Sequence, residues 1–241
     1  FWKRSTFRTF EHARLLDRLA THGVTVASVH APAADIYHSH GDEFITMLET
    51  IRRTYNARVI TVHPQRGERR QAKALYKKME DRIRELDVVI AYETFEAAHD
   101  DRKWITQVED MHRLLDALKY PFLGVTYDFT HADAAKALSE IRHFRKHIHA
   151  IHMSDARQGM PLDPNEKHQH LALGGDDFPV LEFLDLLQET GYEDFLILEY
   201  LPQYRELLRE DTLALTRYAA GDKAPFLERF RARRESLSSP V

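Results

Sequence analysis

Six residues with imidazole or carboxylate side chains occupy equivalent places in this chain, because each directly follows a short run of β-branched, aromatic or other apolar residues. They are His30, His63, Glu93, Asp128, His152 and Glu199. Nitrogen and oxygen ligands without sulfur suit Zn²⁺, Mn²⁺, Co²⁺ or Fe²⁺, whereas an ion held by oxygen alone, such as Ca²⁺, fits less well. Without a cation, such groups would repel one another or lack partners where they converge. The pattern therefore predicts a divalent-metal site.

The runs before these residues have the length and composition of β-strands. We predict strands at Val24–Val29, Val59–Val62, Val88–Tyr92, Phe122–Tyr127, Ile148–His152 and Phe195–Leu198. Amphipathic stretches predict helices at Thr6–Thr21, Asp42–Tyr55, Arg70–Glu85, Lys103–Leu118, Asp133–Lys146, Pro179–Thr190, Gln203–Ala219 and Pro225–Ser236. Strands that alternate with helices of this length indicate right-handed βαβ crossovers and a parallel sheet. The carboxyl ends of parallel strands meet on one face, so all six polar residues are expected there.

The number of strands bears on the fold class. We count six, whereas a closed (β/α) barrel has eight, and the chain begins with Phe1-Trp2 directly before a helix. We therefore predict an α/β fold of the TIM (β/α)8 type that lacks its first two strands in this chain. An open sheet of six parallel strands is the alternative. No Pro-, Gly- or Ser-rich linker divides the sequence, so residues 1–241 are predicted to form one domain, with C-terminal helices from about residue 203.

Side chains alternate along a strand, so the residue two positions before each polar residue shares its face. These residues are Ser28, Thr61, Ala91, Thr126, Ala150 and Ile197. Five of the six are small, which would leave room for ions or a substrate beside the polar groups. Small inward residues also fit the taper of a barrel without any ligand.

Composition excludes several classes of function. The 241 residues carry a net charge of −4, which gives no general attraction to nucleic acid, and there is no cysteine for disulfides, thiolate sites or nucleophiles. No apolar run approaches membrane-spanning length, so a cytoplasmic protein without membrane contact is predicted. The sequence also lacks the Gly-rich loops of ATPases and dinucleotide enzymes and the nucleophile elbow of serine hydrolases.

Additional histidines and arginines lie near the predicted site. His131 follows Asp128 by three residues, and the long segment between the fifth and sixth strands carries His168 and His170. Arg66, in the loop after His63, and Arg157 could bind a phosphate group of a substrate, although an ordinary solvated loop is the favoured interpretation. The other conspicuous histidines of this region, His143, His147 and His149, precede the metal-side end of their strand and are interpreted as packing or surface residues.

Short motifs around these residues resemble, in their order, the xylose isomerase-like TIM barrels, the superfamily that includes endonuclease IV and sugar isomerases and epimerases. The motifs are Val29-His30-Ala31-Pro32, Val62-His63-Pro64, Glu93-Thr94, Asp128-Phe129-Thr130-His131-Ala132, Ile151-His152-Met153-Ser154-Asp155 and Leu198-Glu199. The resemblance extends from about Val24 to Tyr200. It implies two different activities.

The first activity is that of the sugar isomerases and epimerases. By resemblance, one metal would be held by Glu93, Asp128, His152 and Glu199, and the two glutamates would act as acid and base on opposite sides of the substrate carbon. The reaction would be proton transfer through an enediolate, on a sugar or sugar phosphate. Zinc or manganese is expected foremost, with cobalt, iron or magnesium as further options.

The second activity is that of endonuclease IV, which cleaves DNA at abasic sites with three zinc ions held by nine side chains. Eight of the nine positions carry a matching residue type: His30, His63, Glu93, Asp128, His131, His152, His170 and Glu199. The ninth is an aspartate in the family and falls on His168, which is otherwise a candidate for substrate binding. One to three ions per chain are therefore expected.

The acidic net charge and the absence of an aromatic and basic stretch favour the sugar isomerase or epimerase over the nuclease, for which DNA would be the partner. A non-catalytic metal-binding barrel is a third alternative. The missing strands could also leave a side open to a second copy of the chain, which would form a homo-oligomer.

Overall fold

The computed structural model describes residues 7, 9–32, 41–63, 69–94, 108–132, 134–157, 169–175 and 178–238. Within these ranges the chain forms six strands. They are β1 (Ser28–His30), β2 (Val59–Val62), β3 (Val89–Glu93), β4 (Leu123–Asp128), β5 (Ile148–Met153) and β6 (Phe195–Leu198). Strands and helices alternate along the chain as predicted.

Eight α-helices accompany the strands in the described ranges. They are α1 (His12–Thr21), α2 (Gly41–Tyr55), α3 (Arg69–Leu86), α4 (Val108–Leu118), α5 (Ala134–Phe144), α6 (Val180–Glu189), α7 (Leu208–Ala219) and α8 (Ala224–Ser238). Turns of 3-10 helix precede β5 at Arg145–His147 and α7 at Pro202–Leu207. None of these helices is long and apolar enough to cross a membrane.

The prediction of the first strand was wrong in its extent. Only Ser28–His30 is a strand, and residues 24–27 have no regular structure. Ser28 pairs with Val59, the first residue of β2, so the preceding residues have no partner strand to extend along. Val24 is accordingly 52% exposed. The helix predicted from Gln203 likewise begins as a 3-10 turn and becomes α-helical only at Leu208.

The order of the strands in the sheet is the order of the sequence, β1-β2-β3-β4-β5-β6, and the strands are parallel. A doubly wound sheet reverses its strand order at a switch point, and no reversal occurs among these strands. Successive right-handed crossovers that all step in one direction are the connectivity of the TIM barrel. The fold class is thus α/β of the TIM-barrel type, with two strands fewer than a complete barrel in the part of the chain described.

Contacts divide the chain into two compact units. The N-unit comprises Phe1–Tyr127 with Lys146–Ala150, and the C-unit comprises Asp128–Arg145 with Ile151–Val241. Each contains a buried core of its own. In the C-unit, the ring of Phe129 packs on those of Phe178 and Phe183, with centroids 4.8 and 4.0 Å apart. The prediction that residues 1–241 form one domain stays a prediction.

Within the N-unit, a hydroxyl contact shows how strongly the sheet curves. Oγ1 of Thr61 in β2 lies 2.9 Å from Oγ1 of Thr126 in β4, and both residues are fully buried. Neighbouring strands are about 4.8 Å apart, so in a flat sheet these two strands would be separated by roughly 10 Å. Two short side chains can meet across β3 only if the sheet bends toward the face they share. That face is the one predicted to carry the polar residues.

Candidate metal centre

The ends of β1, β2 and β3 place three ligand-type residues together in the N-unit. Nε2 of His30 and Nε2 of His63 each lie 3.1 Å from Oε2 of Glu93. The Glu93 side chain is 3% exposed, that of His63 is 16% exposed and that of His30 is 30% exposed. We call these three residues the N-unit cluster. Side-chain exposure increases from Glu93 through His63 to His30, so the two histidines line the side of the cluster that solvent can reach.

The second nitrogen of His30 constrains the chemistry of this cluster. Nδ1 of His30 lies 3.2 Å from the carbonyl oxygen of Ala31, which can only accept a hydrogen bond. If Nδ1 carries the proton, then Nε2 of the neutral ring presents a lone pair to a carboxylate oxygen. A neutral imidazole carries one N–H and can satisfy only one of these two acceptors, so a cation between its other nitrogen and the carboxylate would stabilise the contact. A backbone carbonyl that fixes the tautomer in this way is a common partner of a metal-binding histidine.

In the C-unit a larger group gathers around Asp128, the last residue of β4. Nδ1 of His152 lies 2.8 Å from Oε2 of Glu199 and 4.0 Å from Oδ2 of Asp128. Nδ1 of His131 lies 3.4 Å from the same Asp128 oxygen. The ring of His170 lies edge-on to that of His131, with centroids 5.5 Å apart. We call Asp128, His131, His152, His170 and Glu199 the C-unit cluster.

The turn after β4 determines which oxygen of Asp128 is available. Oδ1 accepts hydrogen bonds from the backbone N–H of Thr130 at 2.9 Å, from its hydroxyl at 2.9 Å and from the N–H of His131 at 3.3 Å. These three donors orient the carboxylate, and Oδ2 is left facing His131 and His152. An oriented carboxylate is the arrangement that supporting residues provide around metal ligands. The role of Thr130 was not predicted, although its place two residues after an aspartate is typical of an Asx turn.

His170 reaches the cluster in an uncommon backbone conformation. Its φ is 54°, in the left-handed region, which is disfavoured for residues other than glycine. The backbone is held on both sides: the N–H of Leu201 donates to the carbonyl of His170 at 2.8 Å, and Leu171 pairs with Asp155 in a two-way backbone bridge. Ser154 contacts Nδ1 of His170 at 3.4 Å. Strain that is held in this way frequently marks a functional residue.

Asp155 fixes the segment that follows His170. The carboxylate is fully buried, and it accepts hydrogen bonds from the backbone N–H groups of Ala156, Gly174 and Phe178. Gly174 has φ of 84°, and a Cβ there would lie 2.8 Å from the carbonyl oxygen of Phe230. Asp155 was part of the motif quoted above, yet sequence reasoning gave it no role, because its partners lie up to 23 residues away.

A buried ion network supports the residue next to Glu199. The hydroxyl of Tyr200 donates to Asp211 at 2.9 Å and accepts from the N–H of Leu173 at 3.2 Å. Burial, with the charge of Asp211, raises the pKa of Tyr200, so the hydroxyl stays protonated and can donate. Arg233 in α8 pairs with both oxygens of Asp211 at 3.0 Å and donates to the carbonyl of Leu173 at 2.5 Å. Sequence reasoning missed this network.

The donor atoms of both clusters suit a metal ion. Two ligand atoms that are each about 2.1 Å from one ion, at angles near those of tetrahedral or octahedral coordination, lie about 3.0–3.4 Å apart. The separations of 3.1 Å in the N-unit cluster and of 3.4 Å in the C-unit cluster lie within this range, whereas the two separations from Nδ1 of His152, 2.8 and 4.0 Å, lie on either side of it. The ligand atoms of His30, His63 and Glu93 are mutually within 4.8 Å, as are those of Asp128, His131 and His170. Imidazole with carboxylate is a donor set of Zn²⁺, Mn²⁺ or Fe²⁺.

The fold agrees with a family comparison. The family model "Xylose isomerase-like TIM barrel" matches residues 1–218. The chain belongs to this family. Comparison with curated proteins found no match.

Solved structures share the fold of the family. A 3-keto-D-glucoside 4-epimerase from E. coli is 12% identical, with a TM-score of 0.64 over 85% of this chain and 84% of that chain. A D-tagatose 3-epimerase-like protein is 16% identical, with a TM-score of 0.63 over 95% and 86% of the two chains. An AP endonuclease of family 2 from Brucella melitensis is 12% identical, with a TM-score of 0.59 over 79% and 78%. At such identities these likenesses show the fold alone.

Three residues, Arg66, Arg157 and His168, were predicted from the sequence to bind the substrate. Arg157 is exposed, just beyond Asp155. Arg66 and His168 lie outside the described residues. The predicted substrate contacts of all three stay predictions, as does the set in which Glu93 joins Asp128, His152 and Glu199 around one ion. The prediction that this chain resembles the xylose isomerase-like family is confirmed.

Proposed function

We propose that this family member is a divalent-metal-dependent isomerase or epimerase of a sugar or sugar phosphate. The observation that carries the proposal is the contact of His152 with Glu199, at 2.8 Å, beside the oriented carboxylate of Asp128. The likeness in fold to a 3-keto-D-glucoside 4-epimerase and to a D-tagatose 3-epimerase-like protein supports it. The substrate is a small polyhydroxylated carbonyl compound, and a phosphate group on it would suit Arg66 or Arg157.

Glu199 and Glu93 are proposed as the base and acid of the reaction. The Glu199 side chain is 38% exposed, whereas those of Asp128 and His152 are 1% and 6% exposed. Glu199 can therefore touch a substrate while its Oε2 faces His152. In an epimerase or isomerase, one carboxylate removes the proton next to the carbonyl group, and a second group returns a proton to the same or the adjacent carbon.

The proposed ion is Zn²⁺ or Mn²⁺, held by Asp128, His152 and Glu199, with Glu93 as the fourth ligand expected from the family resemblance. When bound, a divalent cation polarises the substrate carbonyl and stabilises negative charge on its oxygen. The hydroxyl of Thr130 orients Asp128 for ligation, and both Asp128 and His152 are buried from solvent. His168 is a further proposed contact with the substrate.

Exchange of protons with solvent tests the proposal directly. The protein, dialysed against chelator and reloaded with Mn²⁺ or Zn²⁺, is incubated in D₂O with a panel of ketoses and ketose phosphates. Proton transfer predicts deuterium at the carbon next to the carbonyl, together with a new epimer or isomer, observed by NMR. Loss of both signals in Glu199→Gln would support the assignment. A panel that gives neither exchange nor product with either metal would contradict the proposal.

A metal-dependent phosphodiesterase that acts on abasic DNA is the second candidate. It is favoured by the additional ligand-type residues, His30 and His63 in the N-unit cluster and His131 and His170 in the C-unit cluster, which provide for more than one ion. Several ions would activate water and bind phosphate oxygens. Counting Zn²⁺ per chain and assaying a duplex with one abasic site separates the candidates: cleavage of the duplex, with the outer histidines required, favours the nuclease.

A further inference from the structure

Three further ligand-type residues, none of which belongs to the clusters described so far, meet in the N-unit. His112 and Asp116 are one turn apart in α4, and Nε2 of His112 lies 3.1 Å from Oδ2 of Asp116. His147 ends the 3-10 turn that leads into β5, and its ring centroid lies 5.0 Å from that of His112, with the ring planes at 59°. One nitrogen or oxygen from each residue lies within 4.8 Å of those of the other two.

We propose that His112, Asp116 and His147 form a second divalent-metal site, for Zn²⁺, that joins α4 to the start of β5. Residues at i and i+4 of a helix lie one above the other on the same face, so the helix presents His112 and Asp116 as a preformed pair. His147 supplies the third ligand from a different element. Two imidazoles, one carboxylate and an open fourth position are a donor set that Zn²⁺ accepts.

The environment of Nε2 of His147 supports a metal ion bound at that nitrogen. Its Nε2 is buried and has no hydrogen-bond partner in the part of the chain that the structure describes. A buried nitrogen without a partner is unfavourable, because it has given up its hydrogen bonds with water and gained none. An ion bound at Nε2 would compensate for this loss. The two rings are inclined rather than stacked, so they do not form an ordinary parallel ring pair.

The position of the three residues indicates a structural role. His147 precedes the amino end of β5, whereas Glu93 of the N-unit cluster lies at the carboxyl end of β3. In folds of the TIM-barrel type, the carboxyl ends of the strands carry the chemistry and the amino ends contribute to stability. The Asp116 side chain is 60% exposed and that of His112 is 23% exposed, so an ion can enter from solvent. Its binding would stabilise the folded chain by mass action.

Equilibrium dialysis against Zn²⁺ tests this site independently of any turnover. Chelator-treated wild-type protein and the variants Asp116→Ala and His147→Ala are dialysed at several free Zn²⁺ concentrations, and bound zinc per chain is measured by mass spectrometry. Each variant should lose one equivalent, or bind that equivalent at least about tenfold more weakly. His143→Ala, an exposed histidine of α5, is the matched control and should bind as the wild type does.

The exposed position of Asp116 keeps the test informative if His147→Ala does not fold. The same titration in an Asp128→Asn background removes a ligand of the candidate metal centre and should leave the Asp116-dependent equivalent in place. The Zn²⁺-dependent rise in the unfolding temperature should also shrink in Asp116→Ala. Equal zinc content and affinity in wild type, Asp116→Ala and any folded His147→Ala would overturn the proposal, whatever the activity of the protein proves to be.

Discussion

Nδ1 of His152 lies 2.8 Å from Oε2 of Glu199, and a backbone hydrogen bond lies beside this contact. The N–H of Glu199 donates to the carbonyl of Met153 at 3.1 Å, which fixes where β6 ends beside β5. This backbone bond brings the two residues side by side at the ends of adjacent strands. The same pairing places a half-buried carboxylate next to a buried imidazole.

Replacing Glu199 with glutamine should reduce kcat by about 10²–10⁴-fold, because the amide is neither a base nor an anionic ligand. The unfolding temperature should remain close to that of the wild type, since the Glu199 side chain is 38% exposed and keeps its shape. Glu193→Gln, at an exposed position six residues earlier, is the control. A Glu199→Gln protein with wild-type kcat would remove Glu199 from the mechanism.

Replacing His170 with asparagine should separate one-metal from multinuclear chemistry. Asparagine tolerates the left-handed backbone at this position, so the loss of imidazole is tested without added strain. The proposed isomerase or epimerase predicts a decrease in kcat/KM smaller than about tenfold. His22→Asn, an exposed histidine after α1, is the control. A complete loss of turnover, with loss of zinc from the chain, would favour the multinuclear site.

Replacing Thr130 with valine should weaken metal binding about 10- to 100-fold, the usual effect of removing a group that orients a ligand. The hydroxyl donates to Oδ1 of Asp128, and valine has nearly the same shape without the donor. Thr130→Ser keeps the hydroxyl and should bind as the wild type does. Competition with a fluorescent chelator measures both affinities. Equal affinities of the valine and serine variants would contradict the orienting role.

Replacing Arg233 with methionine should lower the free energy of unfolding by about 2–4 kcal/mol. Removing one partner of a buried ion pair leaves an uncompensated charge, here on Asp211, whose side chain is 3% exposed. Arg229, 3.3 Å from Asp211, remains and limits the loss. Urea unfolding of Arg233→Met and of the exposed control Arg231→Met gives the difference. A decrease no larger than that of the control would show that the network contributes little.

The pH dependence of stability should report on Asp185. Hydrogen bonds from Lys223 and Tyr218 hold the pKa of Asp185 below its ordinary value of 3.8. The stabilisation of the folded state by ionised Asp185 is therefore present above pH 3.8, and it is lost as the pH falls through the lower pKa that Asp185 has in the folded state. Because the side chain is 58% exposed, we expect at most about 1 kcal/mol.

Unfolding of wild type and Asp185→Asn at pH 7 and at pH 2–3 measures this contribution. The stability difference between the two proteins should decrease on acidification. Glu182→Gln, on the exposed side of the same helix, should show no such change. A difference that is constant with pH would mean that the contact with Lys223 and Tyr218 acts without the charge of Asp185.

Elements that depend on residues close together in the sequence could be predicted from the sequence. Strands β2 and β6 were predicted to the residue, because short β-branched and apolar runs define strands without help from distant residues, although only β2 is fully buried. The strand-end residues of both clusters followed from the rule that parallel strands end on one face, whereas His131 and His170 were predicted from neighbouring motifs and the family resemblance. The start of β1 could not be predicted in the same way, because β1 begins at Ser28, the residue that pairs with Val59 at the start of β2.

Long-range polar contacts could not be predicted from the sequence. Asp211 and Arg233 are 22 residues apart on separate helices, and an arginine-rich helix typically indicates a solvated surface. His147 was interpreted as a packing or surface residue because it lies at the end of β5 opposite to the predicted site. Its proximity to His112 depends on how α4 packs, for which the local sequence gives no signal.

The position of α8 limits how this chain can be shortened. The family model ends at residue 218, before α8 begins at Ala224. A version trimmed to that boundary would lose Phe230, whose backbone closely approaches Gly174, and the guanidinium that Leu173 and Asp211 share. The segment that carries His170 would then lose its contacts with α8 and keep those with Asp155 and Leu201. Expression designs and chimaeras of this protein should therefore retain the chain through Ser238.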